Sequence, residues 1–361
     1  ISDLILCHLS PRTLVWLSRT CRMAHQAVTR FLQRAYNINR HLSRYFQDPL
    51  QFRSLQARTG LVISGSNALQ FLDRTSYPES DLDLYAHPGH LYELMEWLES
   101  TGYNFTPSAH QAQDWHKHVS ADWDGTATRF PRTPCDGLDR PWYPDIAAVY
   151  TFKQLVVING EATELKVQVI ETICNPIKTI LKFHSTCVMN VITYNAAYSF
   201  YPVATFEERS IFNICGSRHR PGAIAKYVKR GWRVYAALRP WEMAHPNTSS
   251  FFPNVTRWVG DRHCWSIQLD TSGVKPRPAL SRTSEQFCFD PSAQNGWIMS
   301  SEASRAGIYK PIMDCYPVMT TVFRYNYIVP NEAILADICG WAACQGRLNH
   351  THSTKEHWTW Y

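Results

Sequence analysis

A chain of 361 residues with 45% hydrophobic and 18% charged side chains can hold two or three domains, and it is too apolar to be disordered. Its 13 Trp, 18 Tyr and 16 Phe need packed surroundings. The net charge of +6 comes from scattered Lys and Arg without a basic tail, so nucleic acid is not indicated as a partner. No run of about 18 apolar residues is available to span a bilayer, so no membrane association is expected. The 11 cysteines are odd in number and follow no disulfide framework, and no signal peptide is visible. The expectation is a reducing compartment, cytoplasmic or nuclear, with free thiols. The chain opens on Ile1 rather than Met, as a fragment would.

Residues 1–45 carry a helical pattern. Ile1, Leu4, Ile5 and Leu9 fall near helical spacing. Ser10 is a candidate N-cap with Pro11 at the first helical position, and Leu14, Leu17 and Cys21 form a stripe. A third helix is expected through "HQAVTRFLQRAYNINRHLSRYF". The stretch "ILCHLSPRTLVWLSRTCR" resembles the F-box, the helical module that docks onto the Skp-type adaptor protein of cullin-based ubiquitin ligases. The likeness lies in Ile/Leu, then Leu-Ser-Pro, then spaced leucines, then a Thr-Cys-Arg exit. It implies that Ile5, Leu9, Pro11, Leu14 and Leu17 sit in or under an adaptor-binding surface.

Residues 46–60 read as a polar connector, and the pattern then alternates. "TGLVIS" predicts a buried strand and "SNALQFLDR" a helix of about two turns. "SDLDLY" predicts a strand with Leu82 and Leu84 on one face and Asp81, Asp83 and Tyr85 on the other. An amphipathic helix follows, burying Leu91, Leu94, Met95 and Leu98 and stopping at Gly102. Residues 107–145 form an irregular excursion rich in Pro, Asp, His and Trp. Asn159-Gly160 between "YTFKQLVVI" and "ATELKVQVIET" marks a β-hairpin. "NPIKTILKFHSTCVMNVIT", "TFEERSIFNI" and "PGAIAKYVKRGW" read as helices, the second with Thr205 and Glu208 spaced as a capping box. Beyond about 240 only "HCWSIQLD" and "TTVFRYNYIVP" suggest strands.

The order strand, Gly65-Ser66, helix, Asp81-Leu82-Asp83-Leu84, helix, hairpin resembles the nucleotidyltransferase fold of the polymerase-beta type over about residues 60–200. Residues two apart on a strand share a face, so Asp81 and Asp83 can converge on one ion. By the resemblance they would be metal ligands and catalytic residues, with magnesium as the ion. Gly65 and Ser66 would bind the phosphates of a nucleoside triphosphate with backbone N–H groups and a hydroxyl. Active members of that family carry a third carboxylate on a later strand, here "LKVQVIE". Leu165, Val167 and Val169 should face the core, leaving Lys166 and Gln168 on the other side, and neither is a carboxylate. Glu164 and Glu171 flank the strand, with Glu171 on the wrong face if alternation holds. Two aspartates this close repel unless something cationic neutralises them, and Arg74, Lys166 or a metal could do so.

Three other clusters have structural readings. His116, His118, Asp122 and Asp124 offer a His-x-His zinc pattern or a polar surface loop. Cys339, Cys344, His350 and His352 match no common zinc spacing and read as a helix with two buried thiols. His184, Ser185 and Cys187 read as part of a core helix. The fold class expected is α+β, with an F-box-like helical segment over 1–45, a nucleotidyltransferase-like α/β domain with a mixed sheet over 46–235, and an α+β extension over 236–361. The whole-chain pattern is similar to a group of fungal proteins. The resemblances imply two functions: a ubiquitin-ligase adaptor whose second domain recognises and does not catalyse, or a magnesium-dependent nucleotidyltransferase.

Overall fold

A computed structural model describes residues 2–77, 80–119, 145–158, 160–214, 221–275, 290–303, 308–320 and 322–351. The chain is an α+β protein with a mixed sheet at its centre. Three helices open it: α1 (Ser2–Leu6), α2 (Pro11–Ser18) and α3 (Arg22–Ala35). Ser10 caps α2 as expected, its Oγ accepting from the Thr13 N–H at 3.3 Å. Leu6, Leu14, Val28 and Phe31 bury one another in a small core of their own. The expected third helix breaks at Tyr36. Asn37 caps a new helix, α4 (Ile38–Leu42), its Oδ1 accepting from the Arg40 N–H at 2.9 Å.

Residues 46–60 form a helix over most of their length, α5 (Pro49–Thr59), not a connector. Asp48 and Pro49 supply the start signals, Phe52 and Leu55 its buried side, and Gly60 (φ +67°) its left-handed end. β1 (Val62–Ser64), α6 (Gly65–Asp73), β2 (Leu82–Ala86) and α7 (Leu91–Ser100) then follow the expected order. β3 (Asn104–Thr106) precedes the long hairpin of β4 (Ile146–Ile158) and β5 (Glu161–Thr172). Gly160, at φ +85°, turns that hairpin.

Two expected helices are largely something else. From 175 to 194 the chain makes α8 (Pro176–Leu181), a 3₁₀ turn (Thr186–Val188) and the strand β6 (Asn190–Ile192), followed by β7 (Ala196–Ser199). A continuous apolar run such as Cys187–Ile192 does not separate buried strand from buried helix by periodicity. Around Thr205 a π-helical turn (Val203–Glu207) leads into β8 (Ser210–Phe212), and no capping box forms. The helix α9 (Pro221–Lys229) is as expected and is followed by β9 (Arg233–Tyr235), which pairs with β8 in parallel.

The remaining elements are α10 (Pro240–Ala244), β10 (Thr256–Trp258), β11 (Trp265–Gln268), β12 (Gly296–Ala303), β13 (Tyr309–Asp314), β14 (Tyr316–Val318), β15 (Tyr327–Val329) and α11 (Glu332–Thr351). The eight-stranded sheet runs β11-β7-β6-β1-β2-β5-β4-β3, and among its described pairings β2 with β5 is parallel and the others are antiparallel. The main core gathers residues from Tyr36 to Ile328, so it draws on distant parts of the chain. Among the described residues no helix is long and apolar enough to cross a membrane.

The opening helices are tied down by polar contacts. Arg74, in the left-handed conformation that ends α6 (φ 53°), donates to the carbonyls of Leu6 at 3.4 Å and Leu9 at 2.6 Å. The Arg12 N–H donates to Glu207 at 2.9 Å. Arg209 holds Asp73 through two bonds of 2.8 Å.

Candidate functional site

The β1–α6 turn and the β2/β5 pair build one cleft. Ser64 lies opposite Asp83 in the β1/β2 register, and Gly65 follows immediately. Gly65 adopts φ +69°, a conformation that side chains resist, and turns the chain from strand into helix. A Cβ there would stand 2.6 Å from Asp83 Oδ2, so the glycine is required both by the turn and by the carboxylate beside it. The Ser66 hydroxyl lies 3.2 Å from Ser80 Oγ, which also accepts from Gln70 Nε2 at 2.6 Å. This small network connects the start of α6 to the loop entering β2.

The parallel register of β2 and β5 sets what faces the aspartates. Leu82 pairs with Val167, and Asp83 with Gln168. Leu82, Leu84, Leu165, Val167 and Val169 are buried, and Asp81, Asp83, Lys166 and Gln168 take the opposite face, as alternation predicts. Lys166 Nζ lies 2.8 Å from Asp81 Oδ2. No hydrogen bond or ion pair reaches the Asp83 carboxylate among the described residues, and the amide of Gln168 stands on the neighbouring strand. Glu171 pairs with Ala86 and accepts from the Tyr150 hydroxyl at 3.5 Å, and Glu164 pairs with Lys153 at 3.0 Å; neither lines the cleft.

The cleft has a volume of about 470 Å³. Its polar end is Gly65, Ser66, Ser80, Asp81, Asp83 and Gln168, and Tyr85, Val149, Ile170 and Phe183 form an apolar wall. Lys226 of α9 closes one side, a residue that sequence reading did not single out because nothing local marks it. Burial pushes the Asp83 carboxyl up to about 7, with the Asp81 charge adding to it and Lys166 and Lys226 opposing. Burial and the nearby Arg230 pull the Lys226 ammonium down, against the two aspartates. The guanidinium of Arg230 covers the Tyr77 ring at 3.4 Å. A divalent ion here would find two carboxylates, one already bonded to an ammonium. Among the described residues no group of three or more His, Cys, Asp or Glu is arranged to hold a metal. That donor set does not fit magnesium, which favours several hard oxygen ligands.

The other clusters separate. His116 lies within a short 3₁₀ turn (Trp115–Lys117) and His118 just after it, and they have different partners: His116 Nδ1 is 2.8 Å from Asp114 Oδ1, and His118 Nε2 accepts from the Ala112 N–H at 2.8 Å. Asp122, Asp124 and His352 lie outside the described residues. Cys339 and Cys344 do sit on a helix, α11, but both thiols are exposed rather than buried. The Ser185 hydroxyl is 2.6 Å from His184 Nδ1, yet Ser185 and Cys187 are fully buried, at the 3₁₀ turn and not within a helix.

The adaptor-binding candidates divide by burial. Leu14 is in the small core, and Leu9, Pro11 and Leu17 are half-buried. Ile5 is 59% exposed and lies with Leu4, Trp16 and Met23 among the exposed large apolar side chains of α1–α3. Arg12 stacks on Trp16 at 4.5 Å.

No protein-family model matches the chain, and no curated protein matches it in sequence.

Proposed function

We propose that this protein is an F-box-type adaptor of a cullin-based ubiquitin ligase whose nucleotidyltransferase-like domain serves for recognition and does not catalyse. The Lys166 ammonium 2.8 Å from Asp81, with Gln168 opposite Asp83 where the resemblance calls for a third carboxylate, supports this reading. A lysine opposes divalent binding, and a neutral amide cannot take a proton from an acceptor hydroxyl. The remaining cleft, half polar and half apolar, suits ligand or peptide recognition. Ile5, Leu4, Trp16 and Met23, exposed on a helical module with its own core, supply a docking surface for a Skp-type adaptor protein.

The test is complex formation with a purified Skp-type adaptor. Binding should survive Asp81→Ala and Asp83→Ala and be lost on Ile5→Asp or Trp16→Asp, both exposed positions that leave the small core intact. No complex, or one indifferent to Ile5→Asp and Trp16→Asp together, overturns the reading.

A further inference from the structure

The carboxylates and ammonium groups of the Asp81/Asp83 cleft are not paired alike. Asp81 closes directly on Lys166 at 2.8 Å. Asp83 and Lys226 line the same cleft and each acts on the other's charge, yet no ion pair joins them. Neither side chain makes a hydrogen bond among the described residues, and neither does the amide of Gln168, which stands opposite Asp83 on the neighbouring strand. Arg230, one turn beyond Lys226 and just past the end of α9, places a second positive charge near that ammonium. The cleft is therefore dipolar. Its sheet side offers a carboxylate and an amide, its α9 side offers cations, and Tyr85, Val149, Ile170 and Phe183 form the apolar wall between.

Opposite charges held apart across a cavity are both left to a ligand to satisfy. A simple cation drawn to Asp83 would meet the repulsion of Lys226 and Arg230, and a simple anion drawn to Lys226 would meet that of Asp81 and Asp83. A molecule carrying both signs is attracted at each end, and each contact is a charge-assisted hydrogen bond. The cleft volume of about 470 Å³ falls in the range of small-molecule sites, and its aromatic and aliphatic wall suits an apolar body. Resting on the reading of this domain as a recognition module that does not catalyse, we propose that the cleft binds a small zwitterion of the amino-acid class with an apolar side chain. Its ammonium bonds to Asp83 and the Gln168 carbonyl, its carboxylate to Lys226, and its side chain lies against the apolar wall.

Calorimetric titration of the whole chain with L-phenylalanine, and separately with L-leucine, at low ionic strength tests this. Saturable one-to-one binding of at least one of them is expected, weakened by added salt. For that amino acid, the amide derivative, which lacks the carboxylate, and the N-acetyl derivative, which lacks the ammonium, should each bind roughly tenfold more weakly. Lys226→Gln, a mild change at an exposed position, should weaken the amino acid roughly tenfold and leave its amide unchanged. The proposal is overturned if neither amino acid binds at millimolar concentration, if either blocked derivative binds as tightly as the amino acid, or if Lys226→Gln binds it as the parent does. Adaptor docking rests on Ile5 and Trp16 and is read separately. A chain that docks the adaptor but binds no amino acid overturns this inference alone, and one that binds the amino acid but docks no adaptor supports it and overturns the adaptor reading alone.

Discussion

A Cβ on Gly65 would lie 2.6 Å from Asp83 Oδ2, so the second aspartate occupies space that only a glycine leaves open. Gly65→Ala therefore combines a left-handed backbone with a steric clash and should cost about 1–3 kcal/mol in denaturant unfolding. Gly222→Ala, in the open on α9 with no atom within 4 Å of the new Cβ, should be neutral or slightly stabilising. If Asp83→Ala is made first, part of the Gly65→Ala cost should vanish, because the clashing oxygen is gone.

The pH dependence of stability should carry the signature of Asp83. Its carboxyl titrates at about 7 in the folded chain, against 3.8 ordinarily. Between these values the folded protein holds a proton that the unfolded chain releases. Stability therefore falls as pH rises from about 4 to about 7 and is flat above. Asp83→Asn should abolish that fall and leave the variant more stable at pH 8, by at most roughly 4 kcal/mol, with little difference at pH 3. Chemical unfolding across this range, with carbon NMR of the carboxyl, reads both effects.

Arg74 gives a separable prediction about the opening helices. Arg74→Gly keeps the left-handed α6 terminus at lower strain but deletes the bonds to Leu6 and Leu9. Global stability should change by no more than about 1–2 kcal/mol, whereas amide exchange in α1 and α2 should accelerate well beyond that in α6. Equal acceleration in both would mean that Arg74 acts on the fold as a whole.

Much of the fold's ordering was readable where a period or a turn residue decided it. The alternation of "SDLDLY" placed Asp81 and Asp83 on one face, and Asn159-Gly160 marked the hairpin that brings Lys166 and Gln168 back. The same alternation put Leu165, Val167 and Val169 inward, as they are. The run ending at Ile192 was misread because a short fully buried strand has no polar face to reveal its period. Residues 49–59 read as a connector because polar residues such as Arg53 and Gln56, which are buried and hydrogen-bonded, mask the helical stripe. Lys226 was illegible for another reason: its approach to the aspartates depends on how α9 packs on the sheet, and no local pattern encodes it.

The Asp81–Lys166 pair is half-exposed, so its contribution to stability should be small, within about 1 kcal/mol on Lys166→Ala. Its contribution to electrostatics is larger. Lys166 is one of two cations that hold Asp83 down, so Lys166→Ala should raise the Asp83 carboxyl further above its present value. An unchanged carboxyl titration would show that the ammonium does not act on Asp83.

In the proposed non-catalytic adaptor, Lys166, 2.8 Å from Asp81, takes the place of a metal in neutralising the two aspartates. Titration of manganese into the chain, with free ion followed by electron paramagnetic resonance, tests it most directly. The unmodified protein should show no stoichiometric site, and Lys166→Ala combined with Gln168→Asp should gain one that Asp83→Asn removes. A stoichiometric manganese site in the unmodified protein, abolished by Asp83→Asn, would contradict it.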